Sequence, residues 1–333
     1  MVDSNGGTVT APTKYQCGCC LSDRATPFVT IPRDGEGRMA SFTLWQCHGC
    51  GFIQLWPQPD DVTLAAYYNA DTYYAYRELS IRETTTRLTF HDSLRHYIQR
   101  LIMETSSCSM RPKAWRDRWR AVLAAPIRRR FGGVPSHKPT GPLLDIGCGD
   151  GIFLYELQRL GWTAEGMEMD PRAVEAARRF GIKVRQGTID AIPFPPASFA
   201  IVRMWHVLEH VRDPRTALRN VRRLLRPGGE LIIGIPNVAG LYRWCFGRRW
   251  SAWDLPRHLS HFSPTTIRRA LESEGFRLVS LRCSSVGTGS GSMTTLWPWL
   301  NHPIVRYPMV LLDIPLDLLG VGDALEVVAV VAP

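Results

Sequence analysis

The sequence predicts an α/β fold with a doubly wound, mostly parallel sheet, preceded by a small cysteine-rich module and a helical connector. Two observations predict it. From residue 141 onward, short apolar strands alternate with amphipathic helices, which is the pattern of a parallel sheet with helical crossovers. Near the N-terminus, two close cysteine pairs flank a turn-rich segment, IPRDGEG. We therefore expect a module over residues 1–75, a connector over 76–140 and the α/β domain over 141–333.

The composition supports a folded chain of more than one domain. It has 333 residues, of which 45% are apolar, and a formal net charge of +10. The basic residues concentrate at 111–130 and 215–226, which suits an acidic partner or a solvated surface. No nucleic-acid-binding signature accompanies this charge, so no nucleic-acid partner is expected. No apolar run long enough to span a bilayer occurs, and the first residues do not resemble a signal peptide, which predicts a cytoplasmic protein.

The cysteine pairs have the spacing of a zinc ribbon. Cys17 and Cys20 form one pair, and Cys47 and Cys50 form the other. A gap of two residues lets both thiolates of a pair face one ion, and two pairs complete a tetrahedral shell of four sulfurs. Such a closed shell is structural. Cys19, which lies inside the first pair, is the alternative ligand; a coincidental, metal-free arrangement is the other interpretation.

The connector is predicted to be helical. Its apolar positions repeat at helical spacing near 91–102, and a second segment, AWRDRWRAVLAAPIRRRF, alternates tryptophan with arginine. This second helix either docks on the protein with a wet basic face or rests on an anionic membrane surface. Peripheral contact at the inner membrane face is therefore the second expectation for localisation.

A glycine-rich turn follows the first strand of the α/β domain. The segment LLDIGCGDG runs from a buried strand containing Asp145 into Gly147, Gly149 and Gly151, and a helix follows. Glycines let the backbone approach a ligand closely, and the helix N-terminus adds oriented amides. Glu168 ends the next strand, where a carboxylate accepts ribose hydroxyls of a nucleoside. A nicotinamide cofactor could be bound by the same kinds of residue, but the turn here has the pattern GxGxG and not the GxGxxG pattern of dinucleotide-binding folds.

Two further strand ends complete the predicted ligand edge of a Rossmann-like sheet. Asp190 follows the third strand, where its carboxylate can accept the amino group of adenine, and His206 follows the fourth strand, expected over 199–204. Carboxyl ends of parallel strands meet at one edge of the sheet, at the position where such folds bind ligands.

The ordered motifs DIGCGDG, GMEMDP, GTIDAIPFPPASF, WHVLEHVRDP, LLRPGGELIIGIPN and PRHLSHFSPTTIRRALESEGF resemble class I S-adenosylmethionine-dependent methyltransferases over residues 142–279. The resemblance implies S-adenosylmethionine as cofactor, bound by the turn and strand-end residues. The implied cofactor-binding set is Asp145, Gly147, Gly149, Gly151, Glu168, Asp190 and His206.

The front half of the chain resembles the zinc-binding module of bacterial methyltransferases of sugar and polysaccharide pathways. This implies a sugar or glycan precursor as acceptor, methylated on oxygen or carbon and either a small molecule or lipid-linked. The LEHVRDP and LRPGG segments are shared with enzymes that methylate quinone-type phenols, which is the alternative. A non-catalytic protein that retains the cofactor fold is the third interpretation.

Methyl transfer to a hydroxyl or carbon acceptor requires alignment and a general base. By resemblance, His258 in an acceptor-side insertion at about 240–262 is the first candidate base, with His210 and His261 as further candidates. Sugar methyltransferases of this kind often carry a Glu-His pair at this step, whereas Arg257 precedes His258 here, so His210 stays open as the base. Tyr76 resembles an aromatic residue that closes over sugar acceptors.

Overall fold

The computed structural model describes residues 14–33, 40–68, 133, 135, 141–285, 292, 315–317 and 319–332. Its strands are β1 (Ala25–Arg33), β2 (Ala40–Cys47), β3 (Ile53–Leu55), β4 (Leu143–Ile146), β5 (Ala164–Glu168), β6 (Val184–Gln186), β7 (Phe199–Trp205), β8 (Leu225–Pro236), β9 (Ser260–His261), β10 (Phe276–Ser284) and β11 (Ala324–Val331). Its helices are α1 (Asp61–Ala66), α2 (Ile152–Arg159), α3 (Pro171–Arg179), α4 (Pro214–Leu224), α5 (Leu241–Phe246) and α6 (Pro264–Ser273).

The larger sheet has seven strands in the order β10-β11-β8-β7-β4-β5-β6. Strands β4 to β8 are mutually parallel, and β11 pairs antiparallel with both β8 and β10. The strand order reverses beside β4, because the chain first moves outward to β5 and β6 and then returns to β7. This confirms the predicted doubly wound, mostly parallel α/β sheet, including the final strand.

Both faces of this sheet are buried under helices. Successive residues of a strand point to opposite faces, so Leu144 and Val202 join a core that includes α4 and α6, while Leu143 and Ile201 join one that includes α2 and α3. Three helices begin at capped positions with proline in the first turn, where its missing N–H costs nothing. The capping residues are Asp170, Asp213 and Ser263.

A second sheet of four strands, in the order β1-β2-β3-β9, joins the cysteine-rich module to the α/β domain. Its first three strands come from the module. Its fourth strand, β9, comes from the segment between α5 and α6, where Ile53 pairs with His261 and Gln54 pairs with Ser260. The ring of Phe52 packs against Phe262 at a centroid distance of 5.0 Å. The module is therefore continuous, through backbone hydrogen bonds, with the segment that carries His258 and His261.

Among the described helices, none has the length and apolar character required to cross a bilayer. Apart from residues 133 and 135, the predicted connector, with its tryptophan- and arginine-rich segment, lies outside the described residues, as does Tyr76. Peripheral membrane contact and the role of Tyr76 therefore stay predictions.

Candidate active site

The glycine turn lies directly after β4. Gly147, Gly149 and Gly151 all have positive φ, at 70°, 55° and 74°, a conformation that costs side chains other than glycine about 1–2 kcal/mol. A Cβ at Gly147 would lie 2.5 Å from Val207 Cγ2, whereas no described atom lies within 4 Å of a Cβ built at Gly149. The turn is thus packed against the segment after β7 on one side and leaves open space above Gly149.

Glu168 ends β5 and faces this turn. Its Oε2 accepts a hydrogen bond from the Gly149 backbone N–H at 3.0 Å, and its Oε1 accepts from the N–H groups of Met169 and Asp170. Backbone amides therefore fix the carboxylate at the turn, and one of its roughly four lone-pair sites, on Oε2, is left for a further donor. The carboxylate thus lies where the sequence predicts a contact with the ribose of a nucleoside.

The segment after β6 is held at the same edge of the sheet. Asn220 on α4 donates a hydrogen bond to the Ile189 carbonyl at 2.9 Å. Ile189 is buried, while Thr188 and Asp190 are exposed. Asp190 thus remains accessible for the predicted contact with adenine.

Asp145 has a different environment from the other predicted cofactor residues. Its side chain is 1% exposed and pairs with Arg203 on the neighbouring strand β7, with Nη1 of the arginine 2.9 and 3.0 Å from the two carboxylate oxygens. Arg203 also donates to the Gly133 carbonyl. Burial raises the pKa of Asp145 while Arg203 opposes that rise. The described contacts of Asp145 are those of a structural ion pair beneath the turn.

Glu209, His210 and His258 form a cluster in which Glu209 and His258 are buried and His210 is half-buried. Glu209 and His210 belong to a 3₁₀ turn, Leu208–His210, that follows β7, and His258 lies in the loop before β9. One ligand-type atom from each of the three residues lies within 4.8 Å of the others. The rings of His210 and His258 meet edge to face at a centroid distance of 4.7 Å. We call these three residues the histidine–glutamate cluster.

The three predicted base candidates are thus brought together by the fold. His261 lies beside the cluster, with its ring centroid 6.3 Å from that of His258 and 5.0 Å from that of Trp253. Within the described part of the chain, neither ring nitrogen of His261 has a hydrogen-bond partner. His206, in contrast, is exposed, and its Nδ1 lies 3.0 Å from Glu209 Oε1.

Burial and neighbouring charges shift the pKa values of Glu209, His210 and His261. Burial lowers the pKa of His210 to about 4, with a further contribution from His258, and lowers the pKa of His261 to about 3. Burial alone would raise the pKa of Glu209, but the hydrogen bond with His206 and the nearby histidines bring it to about 2. At neutral pH the cluster therefore combines an ionised carboxylate with a neutral His210 ring.

The structure corrects the expectation that His258 lacks a carboxylate partner. Asp254 Oδ2 lies 3.7 Å from His258 Nε2, and Asp254 also forms an ion pair with Arg257. Glu209 supplies a second carboxylate, adjacent to His210 in the sequence. Arg257 precedes His258 in the sequence, whereas a glutamate, Glu209, precedes His210.

Sequence reasoning also missed Tyr68. Its hydroxyl lies 3.0 Å from His210 Nδ1, so the module contributes a side chain to the cluster. Leu64, Tyr67 and Tyr68 have helical spacing, which is typical of packing residues and does not indicate this contact. In the segment before His258, Trp250 and Trp253 are buried, whereas Trp244 is 68% exposed.

The four predicted zinc ligands converge in the module. Sγ of Cys17 lies 3.6 Å from that of Cys50, Sγ of Cys20 lies 3.6 Å from that of Cys47, and all four atoms lie within 4.8 Å of one another. Bonds of about 2.3 Å to a tetrahedral zinc ion place sulfurs about 3.8 Å apart. Cys19 is not part of this group, since its thiol donates to the Thr266 carbonyl.

Comparisons with known proteins identify the family of the α/β domain. A family model described as a methyltransferase domain matches residues 115–281, half of the chain. A ubiquinone biosynthesis O-methyltransferase of Xanthomonas oryzae pv. oryzae is 32% identical over 186 residues, which are 53% of this chain and 75% of the relative. One from Xanthomonas euvesicatoria pv. vesicatoria is 28% identical over 166 residues, covering 46% of this chain and 70% of that protein.

Two solved structures are similar at lower identity. An S-adenosylmethionine-dependent methyltransferase from Thermotoga maritima is 22% identical, with a TM-score of 0.42, and covers 58% of this chain and 83% of its own. Another from Archaeoglobus fulgidus is 19% identical, with a TM-score of 0.42, and the match covers 63% of this chain and 93% of that one. On the match of the family model, this chain belongs to the methyltransferase-domain family, and it is an S-adenosylmethionine-dependent methyltransferase.

Proposed function

We propose that this enzyme transfers the methyl group of S-adenosylmethionine to a hydroxyl oxygen of a quinone-type, lipid-soluble phenol. The observation that carries the proposal is the histidine–glutamate cluster, which follows Val207, the residue that packs against Gly147 of the glycine turn. The turn and Glu168 hold the nucleoside half of the donor, which presents its methyl group towards the segment after β7. The acceptor hydroxyl is then ionised at the cluster, where an ionised Glu209 carboxylate and a neutral His210 ring are concentrated.

Oxygen as the methylated atom is supported by the relatives, which are named as O-methyltransferases of ubiquinone biosynthesis. A phenol also suits the chemistry. Its pKa of about 10 is far lower than that of an alcohol, so a buried, weakly basic site can ionise it more readily.

A sugar or glycan hydroxyl is the second candidate acceptor. It is favoured by the cysteine-rich module, which resembles that of sugar and polysaccharide methyltransferases, and by the contact of Tyr68 with His210. In this arrangement the module would form one wall of the acceptor site.

An acceptor panel tests the proposal. The purified enzyme is given labelled S-adenosylmethionine and, in parallel, catechol-type phenols with and without an isoprenoid tail, nucleotide sugars and lipid-linked sugars. We expect methyl ether formation with the tailed phenols, identified by mass spectrometry of the product. Transfer confined to sugars would establish the second candidate instead, and transfer to carbon or nitrogen would contradict both.

We also propose that Cys17, Cys20, Cys47 and Cys50 hold a structural zinc ion. The sulfur separations fit a tetrahedral site, and backbone N–H groups of Cys19 and Gly49 point at the sulfurs of Cys17 and Cys47. The ion would have a closed shell of four thiolates and therefore no open position for a substrate. Its role would be to hold β3 against β9.

Replacing Cys47 with serine should remove one zinc ion per chain, measured by mass spectrometry of metal content. Because β3 follows directly after this cysteine pair and bonds to β9, we also expect a lower melting temperature and slower methyl transfer. Cys245→Ser, at an exposed cysteine on α5, is the matched control and should change none of these. Unchanged zinc content in Cys47→Ser would refute the assignment.

A further inference from the structure

Asp323 is a buried carboxylate that has no part in the reaction proposed above. It directly precedes β11, and 0% of its surface is exposed. Each of its oxygens accepts a hydrogen bond from the insertion at about 240–262. Oδ1 accepts from the Tyr242 backbone N–H at 3.0 Å, and Oδ2 accepts from the Trp250 indole N–H at 2.9 Å. Because an asparagine side chain has only one acceptor oxygen, this pair of donors requires a carboxylate.

The surroundings of Asp323 hold it closely in place. Its backbone carbonyl accepts a hydrogen bond from the Asn237 N–H at 2.7 Å, and a side chain at Gly240 would collide with its carboxylate. Arg243 lies near enough that the charge of Asp323 raises the pKa of this arginine, against the lowering effect of burial. A buried carboxylate is costly unless hydrogen bonds or a nearby cation compensate it. These contacts therefore tie the start of β11 to the insertion that follows β8.

Trp250 begins the part of the insertion that contacts His258. Its backbone carbonyl accepts a hydrogen bond from the Trp253 N–H at 3.2 Å across the 3₁₀ turn Ser251–Trp253. The two indole rings pack edge to face at a centroid distance of 5.0 Å. Within the same turn, the Ala252 carbonyl lies 2.9 Å from His258 Nδ1. A short series of contacts thus leads from Asp323 to the first candidate base.

The Ala252 carbonyl selects one tautomer of a neutral His258 ring. A carbonyl oxygen only accepts hydrogen bonds, so the contact requires the ring proton on Nδ1 and leaves the lone pair on Nε2. A ring nitrogen needs this lone pair to take a proton from an acceptor. If the Ala252 carbonyl moves, the preference for this tautomer is lost.

We propose that Asp323, acting through Trp250 and the turn that contains Ala252, is a positioning residue that holds His258 in the tautomer with an unprotonated Nε2. Its effect on methyl transfer rests on the proposed function, whereas its effect on the tautomer is independent of any acceptor. A displacement of about 1 Å far from the chemistry can cost about a hundredfold in rate. A carboxylate at the base of the insertion can therefore control a ring that it does not contact in any described hydrogen bond.

Nitrogen NMR of the full-length enzyme, labelled with ¹⁵N-histidine, tests the proposal without an acceptor. The two tautomers differ in their ring nitrogen shifts, and the spectrum of His258→Gln identifies the signals of His258. Spectra are recorded at about pH 9, well above the ordinary histidine pKa of about 6.5. We expect the Nδ1–H tautomer in the wild type and a mixture of tautomers in Asp323→Asn and Trp250→Phe. The second substitution removes the indole N–H and keeps an aromatic ring.

The rate of methyl ether formation gives a second readout. Asp323→Asn and Trp250→Phe should each lower kcat about tenfold to a hundredfold with little change in the affinity for S-adenosylmethionine. Because both substitutions break the same hydrogen bond, the double variant should be no slower than the slower single variant.

Trp162→Phe is the matched control, at a tryptophan that is 6% exposed in the core that includes α2 and α3. It should lower the melting temperature and keep both the His258 tautomer and kcat. The proposal is overturned by an Nε2–H tautomer in the wild type, by a wild-type tautomer in Trp250→Phe, by an equal change in Trp162→Phe or by additive effects in the double variant. Mixed tautomers in the variants, without O-methylation of any acceptor by the wild type, would reject the proposed function and retain the positioning role.

Discussion

Replacing Gly149 with leucine is expected to weaken S-adenosylmethionine binding by about a hundredfold or more, which corresponds to about 2.7 kcal/mol. The backbone N–H of Gly149 bonds to Glu168, and open space lies where a side chain would project. A Cβ at this position would have no described atom within 4 Å, so a leucine side chain would start into the space that we assign to the donor. Isothermal titration calorimetry with S-adenosylmethionine measures the loss.

Gly181→Leu is the matched control for this substitution. Gly181 also has a positive φ, 75°, and open space around a built Cβ, but it follows α3, away from the turn. Both variants carry the same backbone cost of about 1–2 kcal/mol, so both should unfold at lower denaturant concentration. Only Gly149→Leu should lose donor binding, and equal affinities in the two variants would show that the turn does not hold the donor.

His258→Gln is expected to reduce kcat by about 10²–10⁴-fold while leaving the affinity for S-adenosylmethionine nearly unchanged. In the proposed reaction the acceptor is ionised at the cluster, where the His258 ring is held by Nδ1 at the Ala252 carbonyl and its Nε2 lies 3.7 Å from Asp254 Oδ2. The proposed donor site consists of the glycine turn and Glu168, which this ring does not contact in any described hydrogen bond. Steady-state kinetics together with donor calorimetry separate the two effects.

The control for this variant is His48→Gln, at an exposed histidine whose Nε2 contacts Thr26. It should retain wild-type kcat. Loss of donor binding in His258→Gln would mean that the substitution damages the fold rather than the chemistry, and the isosteric Glu209→Gln then serves as the second test. Wild-type kcat in both variants would exclude the cluster from the reaction.

Much of the donor site could be predicted from the sequence because its parts are local. The glycine turn directly follows a buried strand, and Glu168 ends the next strand, so strand pairing alone brings Glu168 to Gly149. The convergence of the four cysteines was predictable for the same reason, since a gap of two residues places both thiols of a pair on one side of a tight turn.

Asp145 shows where local patterns were insufficient. Its place in the motif predicts a cofactor contact, but the pairing of β4 with β7 puts Asp145 directly opposite Arg203. The resulting buried ion pair depends on which strand lies beside β4. Strand order is set by the packing of the whole sheet, so a short motif does not predict it.

The amino-acid sequence by itself determined the α/β class, the glycine turn with its strand-end carboxylate, and the two cysteine pairs, because each depends on residues close together in the chain. Only the tertiary structure decided that Tyr68, Glu209, His210 and His258 share one cluster. They lie near the place where β9, a strand from the α/β domain, pairs with β3 of the module. Antiparallel pairing between segments about two hundred residues apart depends on the packing of the complete fold, which closes the long loop between them.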